Sequence, residues 1–340
     1  MTRYNEVVSE NGSGAFLDSS ANVLVAENLR KSYDSHVALV DLSFSLQAGR
    51  ILGFLGPNGA GKTTAIRILI TILEPTSGHF SIGGVGSENP EEIRRKIGVL
   101  PESLGFPKQM TGVEYLTYFA QHYGKTAVQA KATVLALLEE VGLQKRGKSL
   151  IGSYSRGMRQ RLGIARALVN DPVVVFLDEP TLGLDPAGQR ELQSLIVRIA
   201  RERGAAVVLC SHLLNEVEEV CDDVVILREG QVVASGTVSE VIGKAERNLV
   251  RVRIPSRLLT EAQVMLANVP GVIQVTPSKR RMGWLEVELI DLADTGEGES
   301  YDVYTSRVLQ SLLQANIPLL NFEVEGGRLQ DVFLQLTEEN

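Results

Sequence analysis

Ile51-Leu52-Gly53-Phe54-Leu55-Gly56-Pro57-Asn58-Gly59-Ala60-Gly61-Lys62-Thr63-Thr64-Ala65-Ile66-Arg67-Ile68-Leu69 decides how the rest of the chain is read. Ile51 to Leu55 is an apolar run of strand length. From Ala65 onward the aliphatic residues are dense and Arg67 is the one charge, as in a helix that starts against a core. Between them lies G-x-x-x-x-G-K-T, with glycines where a backbone must turn sharply. A glycine loop between a strand and a helix gathers backbone N–H groups at one spot, and the helix N-terminus adds a positive partial charge there. A polyphosphate suits such a site. Lys62 supplies a point charge for β- and γ-phosphates, and the Thr63 hydroxyl is a hard oxygen ligand for Mg²⁺.

Working outward, the chain has 340 residues, enough for one large domain and one small one. Its net charge of −7 argues against a general nucleic-acid binder. Two cysteines, Cys210 and Cys221, make no disulfide framework and fit a reducing cytoplasm. A zinc site from Cys210, His212 and Cys221 lacks an evident fourth ligand, so two buried thiols are the better reading. No secretory signal and no membrane-length apolar run are present in the sequence.

The order of elements predicts an α/β fold with insertions. Residues 1–21 are rich in Ser, Asn, Gly and Glu and read as a disordered tail. Asn22 to Ala48 holds two alternating strands joined at Asp34 and Ser35. A short strand (His79 to Ile82), a short helix (Glu91 to Lys96) and a strand (Ile97 to Leu100) follow the glycine loop and its helix. Gly112 to Ala167 turns helical, with helices at Val113 to Tyr123, Ala127 to Val141 and Arg159 to Leu168. The α/β pattern then resumes with buried strands at Val173 to Leu177 and Ala206 to Cys210. The helix after the first begins at Pro186, and the one after the second spans Leu214 to Cys221. Val224 to Leu227 and Gln231 to Ser235 read as a hairpin. Beyond a boundary near Gly243 the order is strand, helix, strand, strand, helix, strand, which predicts a ferredoxin-like α+β domain. A last helix covers Arg328 to Leu336, and Asp291 to Ser300 is a surface loop. The predicted divisions are a tail at 1–21, a nucleotide-binding domain at 22–243 with a helical subdomain at about 103–170, and an accessory domain at 244–340.

Strand ends carry the remaining chemistry. Asp178 and Glu179 follow the apolar run V-V-V-F-L, where ligands bind in open α/β sheets. Asp178 is placed to hold Mg²⁺, and Glu179 to polarise a water for attack on the γ-phosphate. His212 leaves the next buried strand in the same way and is a candidate partner for the γ-phosphate and for Glu179.

In this order the motifs resemble the ATP-binding subunit of an ABC transporter, over roughly Val23 to Gly243. The resemblance implies that Gly56, Pro57, Asn58, Gly59, Ala60, Gly61, Lys62, Thr63 and Thr64 form the Walker A loop. It implies that Val173 to Glu179 is Walker B with its catalytic glutamate, and that His212 is the switch histidine. Tyr33 sits where the family stacks an aromatic ring on adenine. Tyr154-Ser155-Arg156-Gly157-Met158 resembles the signature sequence, and Leu184-Asp185 the D-loop. Glu102 stands where the family usually has a glutamine that reaches Mg²⁺ and the attacking water. Arg156 replaces the first signature glycine. It either points to solvent, the favoured placement, or adds a cation to the γ-phosphate of a partner's nucleotide.

The cofactors implied are ATP and Mg²⁺. The partners implied are a second ATP-binding subunit, in a homodimer with two composite sites, and membrane permease subunits of ABC-2 type on the inner face of the cell membrane. Phe106, Met110, Tyr115 and Tyr118 are candidates for the groove that receives the permease, or else plain helical core. The ending around Leu329 to Leu334 is similar to ATPase subunits of ABC-2 type exporters. The readings weighed against an exporter subunit are a soluble ABC ATPase acting on ribosomes and a nucleotide-dependent regulator.

Overall fold

A computed structural model describes residues 22–34, 36–103, 105–243, 249–278, 281–290, 301–324 and 328–337. The expected tail at 1–21, Ser35 of the first turn and the loop at 291–300 lie outside the described residues. The chain opens with β1 (Asn22–Tyr33), β2 (His36–Gln47), β3 (Ile51–Leu55), α1 (Lys62–Leu69), β4 (Ser77–Ile82), β5 (Val85–Gly86), α2 (Pro90–Lys96) and β6 (Ile97–Leu100). The helical block is α3 (Gly112–His122), α4 (Ala127–Glu140) and α5 (Arg156–Ala167). Then come β7 (Val174–Asp178), α6 (Pro186–Arg203), β8 (Ala206–Cys210), α7 (Leu214–Val220), β9 (Asp223–Arg228), β10 (Gln231–Thr237) and α8 (Val238–Gly243). The last part is β11 (Leu249–Arg253), α9 (Leu259–Leu266), β12 (Val272–Pro277), β13 (Trp284–Leu289), α10 (Tyr301–Gln314), β14 (Asn321–Val324) and α11 (Leu329–Thr337).

Strands β1 to β10 form one ten-stranded sheet in the order β5-β4-β1-β2-β10-β9-β3-β8-β7-β6. The chain divides into two compact units, and the division falls inside β1, β2, β3, α1 and β8 rather than at a linker.

The first unit takes 22–30, 42–52 and 65–209. Strands β6 and β7 run parallel, from Ile97 opposite Val174 to Leu100 opposite Leu177. The Ala206 N–H donates to the Val173 carbonyl and the Val207 N–H to that of Arg50, each at 2.9 Å. These bonds join strand start to strand start, so β7, β8 and β3 run in the same direction and the segments after them leave one edge of the sheet. Val174, Val175, Phe176 and Leu177 are all buried, each contributing about 1.5–3 kcal/mol of transfer free energy. Strands β1 and β4 pair antiparallel, from Leu24 opposite Ile82 to Glu27 opposite His79. In the helical block, capping boxes start α3 at Thr111 and Glu114 and α4 at Thr126 and Gln129. The Thr111 amide, donating at 2.7 Å, holds the Glu114 carboxyl below its ordinary range.

The second unit holds 31–41, 53–64 and the described residues from 210 onward. Strands β9 and β10 are antiparallel neighbours. Glu229 and Gly230 both have positive φ, 51° and 76°, as a two-residue hairpin turn requires. Farther on, β12-β13-β11-β14 form a second sheet in which every neighbouring pair is antiparallel. Helices α9 and α10 supply Leu266, Val308 and Leu312 to a core with Val250, Val252 and Val287 of that sheet. Among the described residues, helix α11 adds none to this core. Its buried Leu329 and Val332 belong to a helix that packs on α7, α8 and β9.

Candidate functional site

All five residues of β3 are buried, and the glycine loop begins where the strand ends. Gly56, Gly59 and Gly61 have φ of 153°, 83° and 102°. A Cβ on Gly56 would lie 2.4 Å from the Leu227 carbonyl oxygen, and one on Gly61 would lie 2.5 Å from that of Ala38. Glycine is therefore required at both, by conformation and by space. Nothing lies within 4 Å of the position of a Cβ on Gly59, so the tip of the loop faces open space. Lys62 is the first residue of α1. Its Nζ donates to the carbonyls of Gly56 at 2.6 Å and Pro57 at 2.9 Å, which holds the ammonium over the loop's own backbone. Asn58, Gly59 and Thr63 are exposed. The loop is fixed from behind by Gly230, whose N–H donates to the Ala60 carbonyl at 3.1 Å.

Tyr33 and His212 belong to the same unit as this loop. Tyr33 closes β1, is 42% exposed, and has Lys31 Nζ 5.3 Å from its ring centroid. His212 is the second residue after β8 and is exposed, whereas Ser211 before it is buried.

Glu102, Ser155, Arg156, Gly157, Asp178, Glu179 and Asp185 fall in the other unit. Asp178 ends β7 and is half-buried, as is Glu179. Glu179 has φ of 49°, in the left-handed region that costs a non-glycine residue about 1–2 kcal/mol. Such strain is found where the surrounding structure fixes a side chain's direction. The turn after it is closed by the Leu182 N–H on the Glu179 carbonyl at 3.2 Å and the Leu184 N–H on the Thr181 carbonyl at 3.1 Å. Asp185 caps α6, its Oδ1 accepting from the Gly188 N–H at 3.0 Å. Glu102 is exposed two residues beyond β6.

Helix α5 starts at Arg156, three residues before the start at Arg159 expected from the apolar spacing. Ser155 caps it by accepting from the Met158 N–H at 3.2 Å, which draws Arg156, Gly157 and Met158 into the first turn. Ser155 and Arg156 are exposed. The exposure of Arg156 agrees with a solvent-facing side chain, yet its guanidinium is not extended away from the protein. It lies over Gly183, where a Cβ would meet Nη1 at 2.6 Å and Cζ at 2.7 Å. Gly157 approaches Leu184, at 3.7 Å from a Cβ built on it. Arg156 and Gly157 are therefore brought up against Gly183 and Leu184 within one unit.

Of the candidate groove residues, Tyr115 is buried and meets Phe106 and Phe119 edge-on at 5.2 Å and 5.0 Å, which makes it core. Tyr118 is 60% exposed and stacks on His122. Two contacts were invisible to sequence reasoning. Arg166 Nη2 on α5 donates to the Val99 carbonyl at 2.8 Å, tying that helix to the strand that leads to Glu102. Glu216, buried on α7, accepts from the Ser211 hydroxyl at 2.7 Å. The T-x-x-E pattern at Thr237 and Glu240 was readable as the start of α8, a helix absent from the expected elements.

A glycine loop whose lysine opens a helix, at the end of a buried strand in a parallel set, defines a P-loop nucleoside triphosphatase. The sequence profile of the family described as "ABC transporter" matches residues 39–182. The chain is 42% identical over 212 residues to the bacitracin transport ATP-binding protein BcrA of Bacillus licheniformis, a match covering 62% of this chain and 68% of that protein. It is 31% identical over 317 residues to the linearmycin resistance ATP-binding protein LnrL of Bacillus subtilis (strain 168), covering 93% of this chain and 98% of that protein. A solved structure described as the ATP binding subunit of an ABC transporter superposes with a TM-score of 0.59 at 32% identity, covering 65% of this chain and 92% of that one. The chain belongs to the ATP-binding subunits of ABC transporters. It is a nucleotide-binding protein and an ABC-type ATPase.

Proposed function

We propose that this subunit hydrolyses MgATP at two composite sites, each formed by the glycine loop of one copy and the signature residues of a second. The cycle drives export through separate membrane permease subunits of ABC-2 type, with this chain docked on the cytoplasmic face of the cell membrane. The observation that carries the proposal is the start of α5. Ser155 and Arg156 are exposed at a serine-capped helix N-terminus with no acidic residue in its first turn. An exposed helix N-terminus of this kind suits an anion carried by another molecule, which supports the composite site. Export is supported by the transport and resistance named for the relatives. Among the described residues no helix is long and apolar enough to cross a membrane, and the pore is assigned to the permease subunits.

In this reading the loop amides and Lys62 bind the phosphates, and Tyr33 stacks on the adenine. Thr63, Asp178 and Glu102 would supply the protein's oxygen ligands to Mg²⁺. A hydroxyl and a carboxylate suit a cation that keeps water and phosphate oxygens in its shell. When bound, Mg²⁺ neutralises charge on the β- and γ-phosphate oxygens. Glu179 takes the proton of the attacking water, and His212 holds the γ-phosphate and orients that water. The partner's signature residues close the site beside Asp185, and loss of the γ-phosphate releases the pair.

The divisions proposed are an ATP-binding domain at 22–243, with its helical subdomain at about 103–170, and an accessory domain at 244–340. The strand-helix-strand-strand-helix-strand order supports a ferredoxin-like fold for the accessory domain.

Glu179→Gln tests the proposal. The variant is expected to lose ATP hydrolysis by at least about 100-fold and to elute as an ATP-dependent dimer in size-exclusion chromatography. Hydrolysis at the parent rate, with a monomer in ATP, would remove Glu179 from its role.

A further inference from the structure

We infer that Glu216 is a positioning residue for His212, acting through Ser211; the inference rests on the role proposed above for His212. Glu216 is 3% exposed and Ser211 is 3% exposed, so both polar groups are kept where an unpartnered carboxyl or hydroxyl is costly. The Ser211 hydroxyl donates to Glu216 Oε2 at 2.7 Å. Ser211 Oγ in turn accepts from the Leu213 N–H at 3.1 Å. These two bonds bracket His212. One closes a tight turn from the residue before it to the residue after it. The other fastens that turn to the first turn of α7, where Glu216 lies four residues beyond the histidine.

The helix is itself held. Val217, next to Glu216, packs against β3: a Cβ on Gly53 would meet Val217 Cγ1 at 2.4 Å and Cys221 Sγ at 3.3 Å. The anchor therefore passes from the apolar contact under the glycine strand, through Glu216 and Ser211, to the backbone of an exposed histidine. An imidazole that must meet a phosphate needs a backbone with little freedom, because small displacements of a reacting geometry are costly in rate. A surface-exposed turn closed only by its own amides would not supply that rigidity.

The experiment is steady-state ATP hydrolysis by the full-length protein, alone and with its permease, for Ser211→Ala, Glu216→Ala, Glu216→Gln, His212→Ala and Glu216→Ala combined with His212→Ala. Thermal unfolding is recorded for each. Ser211→Ala is the milder variant, which removes the linking hydroxyl and leaves the helix intact. Ser211→Ala and Glu216→Ala are each expected to lower kcat by about 10- to 100-fold with KM for ATP unchanged. Glu216→Gln keeps an oxygen that accepts from Ser211 and is expected to restore most of kcat. In the His212→Ala background, Glu216→Ala is expected to cause no further loss, because its effect passes through the histidine. A further loss in that background that multiplies with the first would overturn the positioning role while leaving His212 in place. Parent kcat in His212→Ala would overturn the role of the histidine, and this inference with it. A fall in thermal stability with unchanged kcat in Ser211→Ala would leave the pair purely structural and overturn the inference.

Discussion

The start of α1 and the start of α5 are two helix N-termini in one chain, and they are built by opposite means. At α1 the preceding loop has three glycines in positive φ, two of them pressed against carbonyls of Ala38 and Leu227, and Lys62 is folded onto the loop. At α5 a single serine turns the chain into the helix, and Ser155 and Arg156 remain exposed. The first is finished by the surrounding chain before any ligand arrives. The second is held by its own cap, by Arg159 donating to the Tyr154 carbonyl at 2.7 Å, and by Arg156 lying over Gly183. A binding loop that must wrap phosphates needs enforced backbone strain, whereas a surface that must engage and release a second molecule needs only a rigid helix end.

The sharpest way to break this contrast is at Gly61. Gly61→Ala places a side chain at φ of 102° and 2.5 Å from the Ala38 carbonyl. The strain is about 1–3 kcal/mol. Binding of a fluorescent ATP analogue is expected to be lost; retained affinity would mean the loop is less constrained than α5. Ser155→Ala comes next. Loss of the cap is expected to cost about 1 kcal/mol in thermal unfolding. It is also expected to lower kcat by about tenfold, while the affinity of the isolated subunit for ATP is unchanged. If stability alone moves, Ser155 is a cap and no more. Arg156→Gly should have the smallest effect, within about 0.5 kcal/mol in stability and about threefold in kcat. A loss rivalling that of Ser155→Ala would place the guanidinium on the partner's nucleotide.

The difference between the two helix starts also governs what could be read in advance. The glycine loop was legible because its residue types state their own backbone geometry: glycine for positive φ, lysine at the helix start. Strand β7 was legible because four successive buried apolar residues suit a parallel sheet. The start of α5 was placed too late because Ser155 has no acidic partner at Met158 and Gly157 weakens the helical signal. Glu216 was hidden for another reason. Among Glu216, Glu218 and Glu219 the sequence offers three acids on one short helix, and only the tertiary fold buries the first of them. The bond from Arg166 to the Val99 carbonyl likewise exists only once α5 and β6 have met.

The return of α11 has a mechanical consequence. The chain leaves α8 at Gly243, builds the β11–β14 unit, and comes back to pack on α7, α8 and β9, where the Leu329 N–H donates to Glu218 at 3.0 Å and Arg228 donates to the Leu336 carbonyl at 3.2 Å. The intervening unit is thereby moored at both its entrance and its exit, like a handle rather than a pendant. Cutting the chain after Gly243 would strip α7 and β9 of their cover, whereas excising 249–324 and bridging the gap would leave that cover on, so the two operations are not equivalent ways of removing the unit.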